Sequence, residues 1–308
     1  MREKLPTGSP PRFHEGAALA DLKIRKRPAA KDMVRSLTMK EMIVGTSVGS
    51  LAQTARNVVQ LLRAAYRSPE SIGTLANDQL ATSLITGLCL PSKGFIDVGA
   101  HIGSVMSAVI RRDPSIKVYA FEPIKEKADS LRRRFPTVEL HQCALGETDG
   151  EATFFVNMER SGYSSLGRPT ISKGVTEIKV PLRKLDTLIS SRDVDALKID
   201  VEGAELGVLR GGGDLIARNR PLIMFESGPT SDDGLGYSKE SMWQWLAERN
   251  FEIVLPNRVA HNGPGLTLDG FIEAHFYPFR TLNYFAIPNE RRIEIRDRAR
   301  CLLKILIA

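Results

Sequence analysis

The chain has 308 residues, 42% of them hydrophobic and 26% charged, which is enough for one large domain with a substantial core. Its net charge of +7 is concentrated at the ends: residues 1–40 carry ten basic and four acidic side chains, and 289–308 carry six and three. The body between them, 41–288, is therefore slightly acidic, which argues against a phosphate-tracking nucleic-acid groove.

The three cysteines, Cys89, Cys143 and Cys301, are far apart and form no C-x-x-C pair. This pattern argues against a disulfide framework and against a zinc site, and it favours a reducing compartment. No apolar run reaches the roughly 18 residues of a transmembrane helix, and the basic start lacks the apolar segment of a secretory signal. We therefore expect no transmembrane segment and a cytoplasmic protein.

The N-terminal part of the chain, 1–38, mixes proline, glycine and charged residues without a period and includes the basic run KIRKR at 23–27. This composition predicts a solvated, poorly ordered tail. Attraction of the tail to an anionic surface or an acidic partner is the alternative.

Residues 39–90 are predicted to form a helical extension. Apolar side chains recur every three or four residues, the period of an amphipathic helix, at Val44, Val48, Leu51, Ala55, Val58, Leu62 and Tyr66. We interpret this helix, 42–66, as packed on the core, because its three arginines are few for the alternative, anchoring at a membrane surface. A second helix over 77–90 leads into the first strand.

A βα alternation follows. The predicted elements are strand 94–98, helix 103–112, strand 117–121, helix 124–135 and strand 137–143. Such an alternation predicts right-handed crossovers and a parallel sheet, whose ligands bind outside the carboxyl ends of the strands. Asp97, Glu122 and Ala144 all fall at this edge.

The first strand runs directly into a loop with glycines at Gly99 and Gly103, a pattern typical of nucleotide sites. Glycine permits positive φ and close approach of a ligand, and the helix that follows offers free N–H groups. Glu122 ends the second strand, nineteen residues after Gly103, where a carboxylate can accept from both ribose hydroxyls. The G-x-G-x-x-G dinucleotide fingerprint is absent, so a ribose-bearing cofactor without phosphates, such as S-adenosylmethionine, fits better.

The next segment, 146–190, interrupts the alternation with two predicted strands, 152–156 and 177–180, around a Ser/Gly-rich stretch. Strand 196–201 then carries Lys198 and Asp200 on one side. Glu202 and Glu205 follow, and Gly203 allows close approach of the backbone. Four ionisable groups at a buried strand end are costly unless they pair or serve chemistry, so both a site and a structural ion-pair network stay open.

The remaining elements complete the sheet. They are helix 204–210 ending at the glycines 211–213, strand 221–225 ending in Glu226, helix 239–249, strand 251–255, a long loop 256–280 and strand 283–287. The last helix, 289–307, is predicted to pack on the body or to mediate self-association.

In this order the residues resemble the FkbM-type S-adenosylmethionine-dependent methyltransferases over about 80–290. The matching motifs are IDVGAHIG (96–103), FEP (121–123), ALG (144–146), SSL (164–166), LDTLI (185–189), KIDVEGAEL (198–206), the glycines 211–213 and RPLIMFE (220–226). One departure is His101, where the family more often has Asn; either side chain can hydrogen-bond the cofactor.

The resemblance implies an α/β fold: a class I methyltransferase Rossmann-like sheet, mostly parallel with an antiparallel closing strand and helical extensions at both ends. The implied domain is 91–288, with the terminal helix at 289–308. The residues implied to hold S-adenosylmethionine are Asp97, Gly99, His101, Gly103, Glu122 and Ala144. Those implied at the acceptor are Asp200, Glu202 and Glu226, with Tyr163, Ser164 and Ser165 as further candidate contacts.

The resulting hypothesis is O-methyl transfer to a hydroxyl of a small molecule, sugar or glycan. A cofactor-binding regulatory module without turnover is the alternative, and nucleic-acid methylation is disfavoured because the body lacks excess positive charge. A divalent metal held by the carboxylate trio is a further alternative, but the family pattern does not require one. Homo-oligomerisation through a terminal helix stays open.

Overall fold

A computed structural model describes residues 43–157, 164–167, 174–190, 193–228 and 235–305. Its helices are α1 (Ser47–Arg67), α2 (Ile72–Leu88), α3 (Ser104–Arg112), α4 (Lys125–Arg134), α5 (Leu185–Leu188), α6 (Glu205–Gly211), α7 (Gly213–Asn219), α8 (Lys239–Ala247), α9 (Leu268–Glu273) and α10 (Arg292–Leu302). Its strands are β1 (Gly94–Val98), β2 (Lys117–Phe121), β3 (Glu139–His141), β4 (Ala144–Leu145), β5 (Gly150–Asn157), β6 (Val175–Arg183), β7 (Val194–Ile199), β8 (Leu222–Glu226), β9 (Phe251–Val254) and β10 (Asn283–Pro288). The predicted tail 1–38 lies outside the described residues.

The central sheet has the strand order β3-β2-β1-β7-β8-β10-β9 among the described strands. Its pairings are parallel except at β10, which is antiparallel to both β8 and β9. Every residue of β1 and β7 is buried, as expected for strands covered on both faces. The predicted fold class, a mostly parallel α/β sheet with an antiparallel closing strand, is confirmed.

A smaller sheet, ordered β4-β6-β5, interrupts the alternation between β3 and β7. β5 and β6 pair antiparallel along their whole length, and β4 runs parallel to β6. Its buried side chains Phe154 and Val180 form a separate apolar cluster with Ile124 and Ala144. The small sheet is thereby attached beside the carboxyl ends of β2 and β3.

The two N-terminal helices differ in how they pack. α2 buries Leu84, Ile85 and Leu88 almost completely against the sheet. α1 buries only Ala64 among its residues, and the apolar face predicted to pack on the core is exposed, with Leu51 at 73% and Tyr66 at 89%. The interpretation of α1 as a core helix is therefore wrong: the side turned toward α2 is the opposite one.

Two further local predictions gain detail. The predicted end of helix 204–210 at the glycines 211–213 is confirmed, because α6 ends at Gly211, but a second helix that was not predicted, α7, begins at Gly213. Gly211 is also needed for close packing, since a Cβ there would lie 2.0 Å from the carbonyl oxygen of Gly146. The loop 256–280 also contains a helix, α9, whose N-cap Thr267 accepts a hydrogen bond from Gly270 N.

The C-terminal helix α10 packs on the body through Ile295 and Ala299, both fully buried. Two arginines, Arg291 and Arg298, place Nη2 atoms 2.6 and 3.1 Å from the carboxylate of Asp195 at the start of β7. The helix is shorter than predicted and follows a 3₁₀ turn. None of the helices in the described ranges has the length and apolar character needed to cross a membrane.

Candidate active site

The loop after β1 brings two strand ends into close contact. Gly99 has a φ of 76°, and a Cβ there would lie 1.9 Å from the carbonyl oxygen of Asp200 at the end of β7. Gly103 has a φ of 82°, and its Cβ would lie 2.8 Å from Leu131 and Met106. Both glycines are therefore required by the packing of this chain against itself as well as by the backbone conformation.

Glu122, at the end of β2, is 3% exposed and faces the same loop. Its two carboxylate oxygens accept hydrogen bonds from His101 N at 2.9 Å and from Ile124 N at 3.0 Å. Burial raises the pKa of Glu122, and the charge of Lys127 and these N–H groups act in the opposite direction. Each oxygen keeps a second lone pair for a ligand hydroxyl.

Lys198, on β7, joins the ends of β1 and β7 through charge. Its Nζ lies 3.1 Å from Asp97 Oδ1 and 3.3 Å from Asp200 Oδ2, and it donates to the carbonyl oxygen of Gly99 at 2.9 Å. Asp97 is buried, and its other oxygen accepts from Met106 N at the start of α3. The two carboxylates and the loop carbonyl together satisfy an ammonium that has almost no contact with water.

The charges of this network separate the ionisation of neighbouring carboxyl groups. Burial alone would lower the pKa of Lys198, but Asp200 and Asp97 outweigh it and raise that pKa. Burial would raise the pKa of Asp200, but the Lys198 ammonium outweighs it and lowers that pKa. Burial and the charge of Asp200 raise the pKa of Glu226 well above its ordinary value. The network therefore favours the ionised form of Asp200 and the protonated form of Glu226.

The loop between β7 and α6 is held by a buried carboxylate. Glu205 accepts hydrogen bonds from Val201 N at 3.2 Å and from Gly203 N at 3.1 Å. Burial raises the pKa of Glu205 to about 7. In the same loop Glu202 has a φ of 54°, and His101 in the β1 loop has a φ of 51°. Residues other than glycine seldom adopt this left-handed backbone conformation, and those that do cluster at functional sites.

These elements enclose a cavity of about 270 Å³ at the carboxyl edge of the sheet. Seven of the predicted site residues line it: Gly99, His101, Glu122, Ala144, Asp200, Glu202 and Glu226. Asp97 and Gly103 do not line it. Asp97 is separated from the cavity and forms an ion pair with Lys198, which in turn contacts Asp200 at the cavity. Gly103 packs between α3 and α4.

Part of the lining was not predicted from the sequence. Phe154 of β5 and Leu166 of the segment 164–167 contribute apolar surface, and Lys127 of α4 contributes a cation. Ser164 lines the cavity and its hydroxyl accepts from Asn157 N, whereas Ser165 is turned to the carbonyl oxygen of Gly167. Tyr163 lies outside the described residues. Lys127 was not predicted, although the FEP motif (121–123) is a signal that could have found it, because the helix after the motif starts beside the cavity.

The carboxylates of Asp200, Glu202 and Glu226 are close enough to share a cation, with one oxygen from each lying within 4.8 Å of the others. Oxygens on opposite sides of a Mg²⁺ or Ca²⁺ ion are about 4–5 Å apart, so the spacing is compatible with a metal. Asp200 and Glu226 also share a side-chain hydrogen bond, which requires a proton on one of them. Lys198 already neutralises part of the charge of Asp200.

The comparison with known families agrees with this geometry. The model of the methyltransferase FkbM domain matches residues 97–253, which is just over half of the chain. The chain belongs to the FkbM methyltransferase family. The resemblance inferred from the motifs is thus confirmed, and the cavity lies at the carboxyl edge of an FkbM domain of S-adenosylmethionine-dependent methyltransferases.

Relatives of this FkbM domain include Methyltransferase 1 of Beauveria bassiana, 27% identical over 40% of this chain and 60% of that protein. Methyltransferase sdnD of Sordaria araneosa is 29% identical over 50% of this chain and 76% of that protein. A crystal structure of Methyltransferase FkbM from Methylobacillus flagellatus aligns with a TM-score of 0.41 and 17% identity over 77% of this chain and 60% of that one. The chain therefore spans about three fifths of the Beauveria and Methylobacillus proteins.

Proposed function

We propose that the protein transfers a methyl group from S-adenosylmethionine to a hydroxyl of a small molecule or a sugar, including a sugar within a glycan. One observation carries the proposal: a single cavity is lined by the glycine loop and Glu122 on one side and by Asp200, Glu202 and Glu226 on the other. Groups suited to a nucleoside and groups suited to deprotonation thus face one another.

The nucleoside half consists of Gly99, His101, Glu122 and Ala144, with Asp97 and Gly103 supporting the loop. Glu122 has two lone pairs available for ribose hydroxyls, and its burial makes those hydrogen bonds strong. Phe154 and Leu166 offer apolar surface to a base. When bound, S-adenosylmethionine supplies an electrophilic methyl group.

The acceptor half consists of the three carboxyl groups. The acceptor oxygen would take the methyl group as the bond from the methyl carbon to the sulfonium sulfur breaks, leaving the neutral thioether S-adenosylhomocysteine. The hydroxyl proton would pass to a carboxylate of this cluster. Asp200 is ionised next to Lys198 and is available to accept it, with Glu202 beside it. Burial and the charge of Asp200 favour the protonated form of Glu226, which would donate a hydrogen bond to Asp200 and orient the pair.

The same carboxylates are the ligands for the metal alternative. If the reaction depends on a metal, turnover should be lost when EDTA is present and should recover when Mg²⁺ is added. Turnover that is unchanged in EDTA removes the metal from the mechanism.

The cofactor half is tested by calorimetric titration of the full chain with S-adenosylmethionine and with NAD. We expect micromolar binding of the former alone. Glu122→Ala should weaken it by about tenfold or more, because two charge-assisted hydrogen bonds are lost, and Glu122→Gln should lie between. Glu248→Ala is the matched control, because Glu248 is an exposed carboxylate directly after α8 and does not line the cavity.

The acceptor half is tested with labelled S-adenosylmethionine and a panel of phenols, aliphatic alcohols, monosaccharides and oligosaccharides. Transfer to one hydroxyl class supports the proposal. Cofactor binding with no transfer to any member favours the binding module instead, and transfer to RNA or DNA contradicts the expectation drawn from the charge of the body. NAD binding in place of S-adenosylmethionine overturns the proposal altogether.

A further inference from the structure

The exposed face of α1 carries a continuous row of large apolar side chains. Six large apolar side chains point into solvent there, each at least 44% exposed: Val48, Leu51, Val58, Val59, Leu62 and Tyr66. At about 100° of rotation per residue they fall within an arc of about 100°, so they form one stripe about 27 Å long. Ala64, the buried residue, lies on the opposite side of the helix. We call these six residues the α1 stripe.

The charged residues of α1 lie on one flank of the α1 stripe. Arg56, Arg63 and Arg67 are exposed, and on the same helical projection they lie about 90–130° from its axis, all on the same side. The helix contains no acidic residue, and none of the ion pairs within the described ranges involves these arginines. The first acidic residue after the helix, Glu70, accepts a hydrogen bond from Tyr277.

We propose that the α1 stripe is a docking surface for an anionic phospholipid bilayer, with the helix lying in the plane of the interface. An amphipathic helix binds such a surface through an apolar arc with arginines on its flank: the apolar side chains enter the acyl boundary and the guanidinium groups contact lipid phosphates. The residues before the helix reinforce the match, because 1–40 carry ten basic and four acidic side chains.

Charge complementarity also selects this occupant over a second copy of the chain. A helix pair formed by two α1 stripes would bring six arginines together without a carboxylate from either helix to pair with them. Like charges along a shared border oppose association. An anionic bilayer instead offers lipid phosphates to the arginines and an acyl-chain region in which the residues of the α1 stripe can be buried.

The full chain is tested by flotation with vesicles of phosphatidylcholine alone and of phosphatidylcholine with phosphatidylglycerol. We expect binding to the anionic vesicles, weakened by salt. Leu51→Gln/Leu62→Gln/Tyr66→Gln should reduce the partition coefficient at least about tenfold because three apolar side chains are lost. Arg56→Gln/Arg63→Gln/Arg67→Gln should reduce it on the order of a hundredfold on anionic vesicles.

Ile293→Gln is the matched control, because Ile293 is 65% exposed, as Leu62 is, but lies on α10. Unchanged binding by this control with loss by the stripe variant supports the proposal, provided both unfold at the wild-type temperature. The proposal is overturned if the full chain does not float with anionic vesicles, or if the stripe variant floats as the wild type does. Sedimentation as a dimer that the stripe variant converts to a monomer also overturns it in favour of self-association.

Discussion

Proteins usually bury apolar side chains and expose charged ones. The carboxyl edge of the sheet and the exposed face of α1 depart from this rule in opposite ways. At the sheet edge, Asp97, Lys198 and Glu205 are charged or titratable and yet buried. On α1, large apolar side chains are exposed and the arginines beside them have no acidic partner in the helix. The buried charges find their partners within the chain. Among the described residues nothing covers the α1 stripe, which favours a partner outside the protein.

Removing the acid–base group from the sheet edge should produce the largest change. Asp200→Asn keeps the shape but removes the carboxylate, so the turnover number should fall about 10²–10⁴-fold. The affinity for S-adenosylmethionine, measured by calorimetry, should change less than about threefold, because Asp200 is assigned to the acceptor. Glu248→Gln is the control. Full turnover in Asp200→Asn would transfer the role to Glu202, to be checked with Glu202→Gln.

The internal pairing of buried charge is tested by Lys198→Met. This change leaves the carboxylate of Asp97 buried without its ammonium, so the free energy of unfolding should fall by about 3–5 kcal/mol in urea titrations. The matched control is Lys93→Met, which breaks the exposed 2.9 Å pair with Asp193 and should cost less than about 1 kcal/mol.

Asp97→Asn in the Lys198→Met background should restore part of the loss, because the unpaired charge is then gone. Equal effects of Lys198→Met and Lys93→Met would mean that the network does not stabilise the sheet edge.

Glu205 makes the stability of the same edge depend on pH. Burial raises its pKa from 4.5 to about 7, so between these values the folded protein retains a proton that the unfolded chain has released. The free energy of unfolding should therefore fall as the pH rises through this window, by about 3 kcal/mol from this group. Glu205→Gln should show a correspondingly flatter profile in urea titrations from pH 4.5 to 8. Parallel profiles for both proteins would contradict the assignment.

The smallest effect is expected on α1. Leu62→Gln should change the free energy of unfolding by less than about 0.5 kcal/mol, because Leu62 is 65% exposed. Leu84→Ala on the neighbouring helix α2, at a fully buried position, should cost about 2–5 kcal/mol. A comparable loss in both variants would show that the α1 stripe is covered by the protein itself, and would remove the contrast between the two regions.

The motifs near the strand ends could be interpreted from local pattern alone. Short apolar runs ending in Asp97, Glu122 and Glu226 predicted buried parallel strands, and the spacing of Gly99 and Gly103 predicted the turn between β1 and α3. The order of strands and helices was enough to bring these carboxyl-terminal ends to one edge, because parallel strands with helical crossovers leave few topologies. The fold class and the location of the site are therefore encoded in short segments and their sequence order.

The partners of those residues depend on contacts between distant segments. Lys198 donates to a carbonyl 100 residues away, and this packing places its charge beside Asp200. That charge lowers the pKa of Asp200, while burial and the charge of Asp200 raise the pKa of Glu226. Neither strand alone contains that information. The same holds for α1: its period establishes that one face is apolar, but the direction of that face follows from which side packs against α2. Burial and pKa values arise from long-range packing, so they emerge when the chain folds.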